Sequence, residues 1–119
     1  MPFNATSLIN SGLAELVISF RPDTTNPPLE QRQGDGYSVA FISTGLWRIS
    51  FNTALPGAFV CALTALQLTT FADSDVQLGP FTVGSPSTLD VRVNTAGALA
   101  NIAAAADNRI AVLVFVRIS

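Results

Sequence analysis

The chain of 119 residues has no histidine and no lysine, a single cysteine, and charged side chains at only 12% of its positions. Without histidine it lacks the commonest general base, the usual partner of a catalytic nucleophile and the most frequent metal ligand. A zinc site would have to be assembled mostly from carboxylates, which disfavours one. No enzyme activity, cofactor or small-molecule substrate is expected on this basis. Cys61 has no second cysteine to pair with, so an intrachain disulfide is excluded. It sits in the apolar run Ala58-Phe59-Val60-Cys61-Ala62-Leu63, which predicts a packed thiol rather than a reactive one. With a net charge of −2 and no basic run, nothing is placed to neutralise a row of phosphates, so nucleic acid is not an expected partner. No segment reaches the roughly 20 unbroken apolar residues of a membrane-spanning helix. Met1 to Phe20 lacks the basic start and continuous apolar stretch of a secretion signal, and synthesis in a cytoplasm is expected.

What the chain does have is apolar side chains, at 49% of positions. Its length suits one domain. A chain of this size buries roughly two-thirds of its unfolded surface. Either the core is unusually large for the length, or part of the exterior is covered by partners. The second is favoured, because so small an interior has too little room for so many apolar residues. All the positive charge is arginine. Arginine is enriched and lysine depleted at protein interfaces, since the guanidinium sheds water more readily; compositional drift is the competing explanation.

The organising signal is alternation with a period of two, interrupted by turn residues. Leu16, Ile18 and Phe20 share one strand face; the polar, Pro- and Gly-containing stretch from Pro22 to Asp35 then predicts a loop. Tyr37, Val39 and Phe41 line the next strand. Ser43-Thr44-Gly45 turns the chain into Trp47, Ile49 and Phe51, a hairpin. A long run from Ala58 to Thr70 and another from Val76 to Val83 follow, and then Leu89, Val91 and Val93 alternate with Asp90, Arg92 and Asn94. In the last run, from Arg109 to Ile118, Ile110, Val112, Val114 and Val116 lie on one side, and Ala111, Leu113 and Phe115 on the other. A strand apolar on both faces needs cover on both. Ala111, Leu113, Phe115 and Arg117 are therefore the candidate subunit interface. The alanine-rich 98–106 stretch reads as either a short helix or a strand followed by a connection, with the second favoured. The expected fold is all-β: a single-domain β-sandwich, a jelly roll, over residues 15–119, preceded by an N-terminal arm over 1–14.

Other candidate sites are weak. The eight acidic residues lie almost entirely in predicted loops or beside turns, which reads as solvated turn acids rather than a glycosidase pair. Asp73-Ser74-Asp75 lacks the further carboxylates and the glycine of a dedicated calcium loop. Gly34-Asp35-Gly36 leads into a strand and not a helix, so it reads as a turn and not a phosphate cradle. Trp47 and Tyr37 would be the platform for a sugar, but each shares its face with core-type residues.

Several segments carry a resemblance: Phe20-Arg21-Pro22, the turn and strand from Gly34 to Ala40, and Ser43-Thr44-Gly45-Leu46-Trp47-Arg48-Ile49-Ser50-Phe51. With them go Leu89-Asp90-Val91-Arg92-Val93 and Ala104-Ala105-Ala106-Asp107-Asn108-Arg109-Ile110. Together, from about residue 16 to 118, they resemble the small capsid decoration, or cement, proteins of tailed bacteriophages. The shape of that family is a trimeric jelly roll of the tumour-necrosis-factor and complement-C1q kind. The apolar ending from Val112 to Ile118 departs from the more polar ending of some relatives. The resemblance implies a homotrimer on the outer surface of the virion that binds the major capsid protein and clamps neighbouring subunits. The shell contacts would fall on Pro2, Phe3, Asn4 and Leu8 of the arm and on Pro27 and Pro28 of the long loop. The alternative is a trimeric receptor- or glycan-binding head domain of a phage tail fibre or spike.

Overall fold

Alternation becomes strand along most of the chain. The computed structural model describes residues 5–7 (backbone only), 13–22, 24, 36–51, 55, 57–102 and 108–117. Among them run β1 (Ala5–Ser7), β2 (Leu13–Phe20), β3 (Tyr37–Ser43), β4 (Leu46–Phe51) and β5 (Ala58–Gln67). β6 (Ser74–Thr82), β7 (Ser87–Thr95), β8 (Ala98–Leu99) and β9 (Arg109–Arg117) follow. No helix occurs among the described residues.

The strands form two antiparallel sheets. The first has the order β1-β2-β9-β5; the second has the order β3-β4-β7-β6, with β8 attached to β7. Strands close to the two ends of the sequence, β2 and β9, pair along eight positions, from Leu13 opposite Arg117 to Phe20 opposite Ile110. The β4 and β7 pairing is nested inside that one in sequence.

The inward residues of both sheets make one core. β2 supplies Leu16, Ile18 and Phe20, and β9 supplies Ile110, Val112, Val114 and Val116. From the second sheet come Tyr37, Val39, Trp47, Ile49, Phe51, Leu89, Val91 and Val93. Each such aliphatic or aromatic side chain stabilises the fold by about 1.5–3 kcal/mol through its removal from water. Trp47 bridges the layers, with its ring centroid 6.4 Å from Phe20 and 5.6 Å from Phe41. Phe59 and Phe81 stack at 4.2 Å, tying β5 to β6. The Tyr37 hydroxyl donates to the Ser19 carbonyl at 3.4 Å and so meets β2 across the core. Trp47 and Tyr37 are thus buried packing residues and not a sugar platform.

Two turns need a left-handed backbone. Gly45, between β3 and β4, has φ +69°, and a Cβ there would sit 2.8 Å from the Val93 carbonyl oxygen and 2.9 Å from the Ala100 nitrogen. The β7–β8 turn uses Ala96 (φ 52°) and Gly97 (φ 83°). Two positive φ values in succession match the twist of a two-residue hairpin.

In the ambiguous alanine-rich stretch, Ala98–Leu99 is strand, while 103–107 lie outside the described residues. Within the 1–14 stretch expected to be an arm, Ala5–Ser7 pairs with β2, and Leu13 and Ala14 already belong to β2.

Candidate functional site

The two sheets differ on their outer faces. On the second sheet the outward positions are mostly polar: Ser38 on β3, Arg48 and Ser50 on β4, Thr88, Asp90 and Arg92 on β7, and Gln77 on β6. Arg48 and Asp90 stand directly opposite one another. They form a two-point ion pair, Nε to Oδ1 at 2.8 Å and Nη2 to Oδ2 at 3.2 Å. The hydrogen bond that Asp90 accepts, and then the charge of its carboxylate, hold the Arg48 guanidinium above its ordinary pKa. This is a water-facing surface of the ordinary kind, apolar inside and polar outside.

The first sheet breaks that rule. Its register sets Glu15, Phe115 and Cys61 in one outward row, Val17, Leu113 and Leu63 in the next, and Ser19, Ala111 and Ala65 in the third. Apart from Glu15 and Ser19 at the β2 margin, the rows are apolar. Arginines stand at both ends of β9, Arg109 beside Gln67 and Arg117 beside Leu13 and Ala58. With residues of one face about 6.7 Å apart along a strand and strands about 4.8 Å apart, the three rows cover about 300 Å². That area is less than half of the roughly 800 Å² that one partner contributes to a protein interface of standard size.

Three of the four interface residues expected from the sequence, Ala111, Leu113 and Phe115, fall on the middle strand of this surface. Each is half-buried, because β2 and β5 flank β9. Arg117 is exposed at its end. The expected shell contacts Pro2, Phe3, Asn4, Leu8, Pro27 and Pro28 lie outside the described residues.

The third strand of the surface, β5, went unread. Leu63 is 59% exposed and Val60 43%, and Cys61, expected to be packed, is exposed. The physical reason is a register break. Phe59 pairs with Val116 and Cys61 with Phe115, leaving Val60 without a partner. An extra residue of this kind shifts the alternation by one. Cys61 therefore points outward although Phe59, two residues earlier, packs against the core. The signal was available, since Ala58 to Leu66 is apolar on both faces except at Thr64, much as β9 is. Phe71, between β5 and β6, is fully exposed.

A cleft of about 390 Å³ is lined by residues that include Thr69, Ser74, Thr95, Asn101, Ile102 and Asn108. Several of its polar groups are engaged within the protein. Asn108 Oδ1 accepts from the Thr69 amide at 2.8 Å and from its hydroxyl at 3.2 Å. Asn101 Oδ1 accepts from the Gly45 amide at 2.7 Å. The Ser74 and Thr95 hydroxyls share a hydrogen bond of 2.8 Å. These bonds fix loops to strands. Asp73 and Asp75 are exposed, and among the described residues no three carboxylates or thiols gather as a metal site would need. No family model, no curated protein and no solved structure matches this chain.

Proposed function

We propose that the chain is a structural protein of a bacteriophage particle: a homotrimeric jelly-roll cement protein that binds the outer surface of the head through the major capsid protein. The observation that carries this reading is the contrast between the two outer faces. The second sheet presents Arg48, Asp90 and hydroxyls to water, while the first presents Val17, Leu113, Phe115, Leu63 and Cys61. A small domain that solvates one sheet in the usual way and leaves the other oily is built for contact on the oily side. Two antiparallel sheets with β2 against β9 and β4 against β7 suit a jelly roll, whose strand pairs nest in this manner.

The mechanism is clamping. Each trimer offers three identical attachment points, so weak single contacts add up to strong avidity. Binding only the assembled shell stabilises it by mass action against the pressure of packed genome. The first test is mass in solution by sedimentation or native mass spectrometry; three chains per particle are expected, and a single chain at micromolar concentration overturns the reading. The second is co-sedimentation with bare heads, where failure to bind removes the capsid from it. The fibre-head alternative shares the trimer and would place a glycan in the cleft beside Thr69 and Asn101. A glycan array, together with imaging of the particle, separates the two.

A further inference from the structure

The first sheet ends at β5, and among the described residues no strand pairs with its far side. An open edge is a row of unpaired amides and carbonyls, and proteins normally guard it with lysine, proline, a bulge or brevity. Of the other edges, β3 is shorter, at seven residues, and breaks its register between Phe41 and Ser43, while the remaining two are guarded. β6 interrupts its register at Gly79 and Pro80, opposite Asp90, and β1 is three residues long. β5 is ten residues long and contains no charged residue, no proline and no glycine. Its one irregularity, at Val60, lies near its start and leaves Cys61 to Gln67 in regular pairing with β9.

We infer that β5 pairs antiparallel with β5 of a second copy, so that the first sheet continues across a two-fold axis. The occupant is set by the edge itself. Backbone groups in this row are satisfied by another extended strand, and an antiparallel pair of identical strands is self-complementary. Residues directly opposite in such a pair point to the same face. The outward set Cys61, Leu63 and Ala65 therefore meets its own counterpart, and the apolar patch of about 300 Å² becomes one of about 600 Å². This contact goes beyond the trimer proposed above. It runs in the plane of the sheet, whereas a contact through Leu113 and Phe115 is perpendicular to it, so one copy can make both.

Residue-resolved hydrogen exchange by NMR, run beside sedimentation, tests the pairing. In a separate chain, alternate amides between Cys61 and Gln67 bond to β9 and the remainder face water. On pairing, the open set becomes protected as well. At a chain concentration about 100 times the dissociation constant of the pair, about 7% of chains stay unpaired, so exchange of that set slows by about 15-fold, and the mass is two chains or two trimers. Alternating protection that persists at every concentration overturns the pairing. In that case a mass of three chains leaves the cement-protein reading intact, and a mass of one removes that reading too. A mass of two with full protection supports the edge contact and rejects the trimer.

Discussion

Leu113→Glu should dissolve the assembly without dissolving the fold. Leu113 stands between Val17 on β2 and Leu63 on β5, on the outward face. In the separate chain its replacement removes two apolar cross-strand pairs, each worth roughly 0.2–1 kcal/mol. A loss of about 2 kcal/mol at most is set against a stability of about 5–15 kcal/mol for a domain of this size, so the chain stays folded. In the proposed trimer the substitution enters three times, each time placing an unpaired carboxylate at the centre of a contact. A desolvated central position is worth about 2 kcal/mol or more, which gives about 6 kcal/mol per trimer. At about 1.4 kcal/mol per factor of ten, the association constant falls by about 10⁴-fold. Sedimentation at micromolar concentration should show no particle of three chains, only single chains or pairs held through β5, with an unchanged far-ultraviolet β spectrum. The next residue provides the contrast, since Val114 is fully buried in the core. A carboxylate there costs several kcal/mol, comparable with the whole stability, so Val114→Glu should unfold the chain. If Leu113→Glu retains the trimer, or unfolds as Val114→Glu does, the assignment of the outward face of β9 to assembly is wrong.

Gly45→Ala should cost about 3 kcal/mol in urea unfolding, because a Cβ would force apart the backbone at Val93 and Ala100. Gly97→Ala has a similar positive φ but open space around it, and should cost only about 1 kcal/mol. Asn108→Ala leaves the Thr69 amide and hydroxyl without their acceptor. Its cost should be about 1–3 kcal/mol, toward the lower end because Thr69 remains accessible to water, with faster exchange of that amide as a local sign. Arg48→Ala breaks the ion pair with Asp90, but the arginine side chain is 43% exposed and the pair lies at the surface, so stability should change by less than about 1 kcal/mol and the mass not at all. Cys61 should react readily with a maleimide in dilute solution and slowly in the assembled state, since it is exposed in the single chain.

Most of the fold was legible because it follows from parity. Ile110, Val112, Val114 and Val116 alternate with Ala111, Leu113 and Phe115, and the structure buries the first set and turns the second outward. Trp47, Ile49 and Phe51 behave the same way opposite Leu89 and Val91. The part of the surface on β9 was readable for the same reason. Two things were not. One is which strands become neighbours: β5 lies beside β9 only through a pairing between residues some fifty positions apart, and alternation says nothing about partners. The other is the break at Val60, which turns Cys61 outward; no turn residue marks it, because alanine, phenylalanine, valine and cysteine all sit comfortably in a strand. Gly79-Pro80 shows the opposite case, a register break announced by residues that resist pairing.

The unpartnered residue at 60 has a consequence for how this protein can vary. Removing one residue from an ordinary strand turns every later side chain inside out, exchanging oily positions for wet ones. Here Phe59 already packs inward and Ala62 does too, with two residues between them where regular pleating requires one. Removing Val60 would therefore leave each remaining side chain of β5 on its present side, merely straightening the strand and relaxing its twist. Between Phe59 and Ala62 this strand can shorten by a residue and keep its two surfaces distinct.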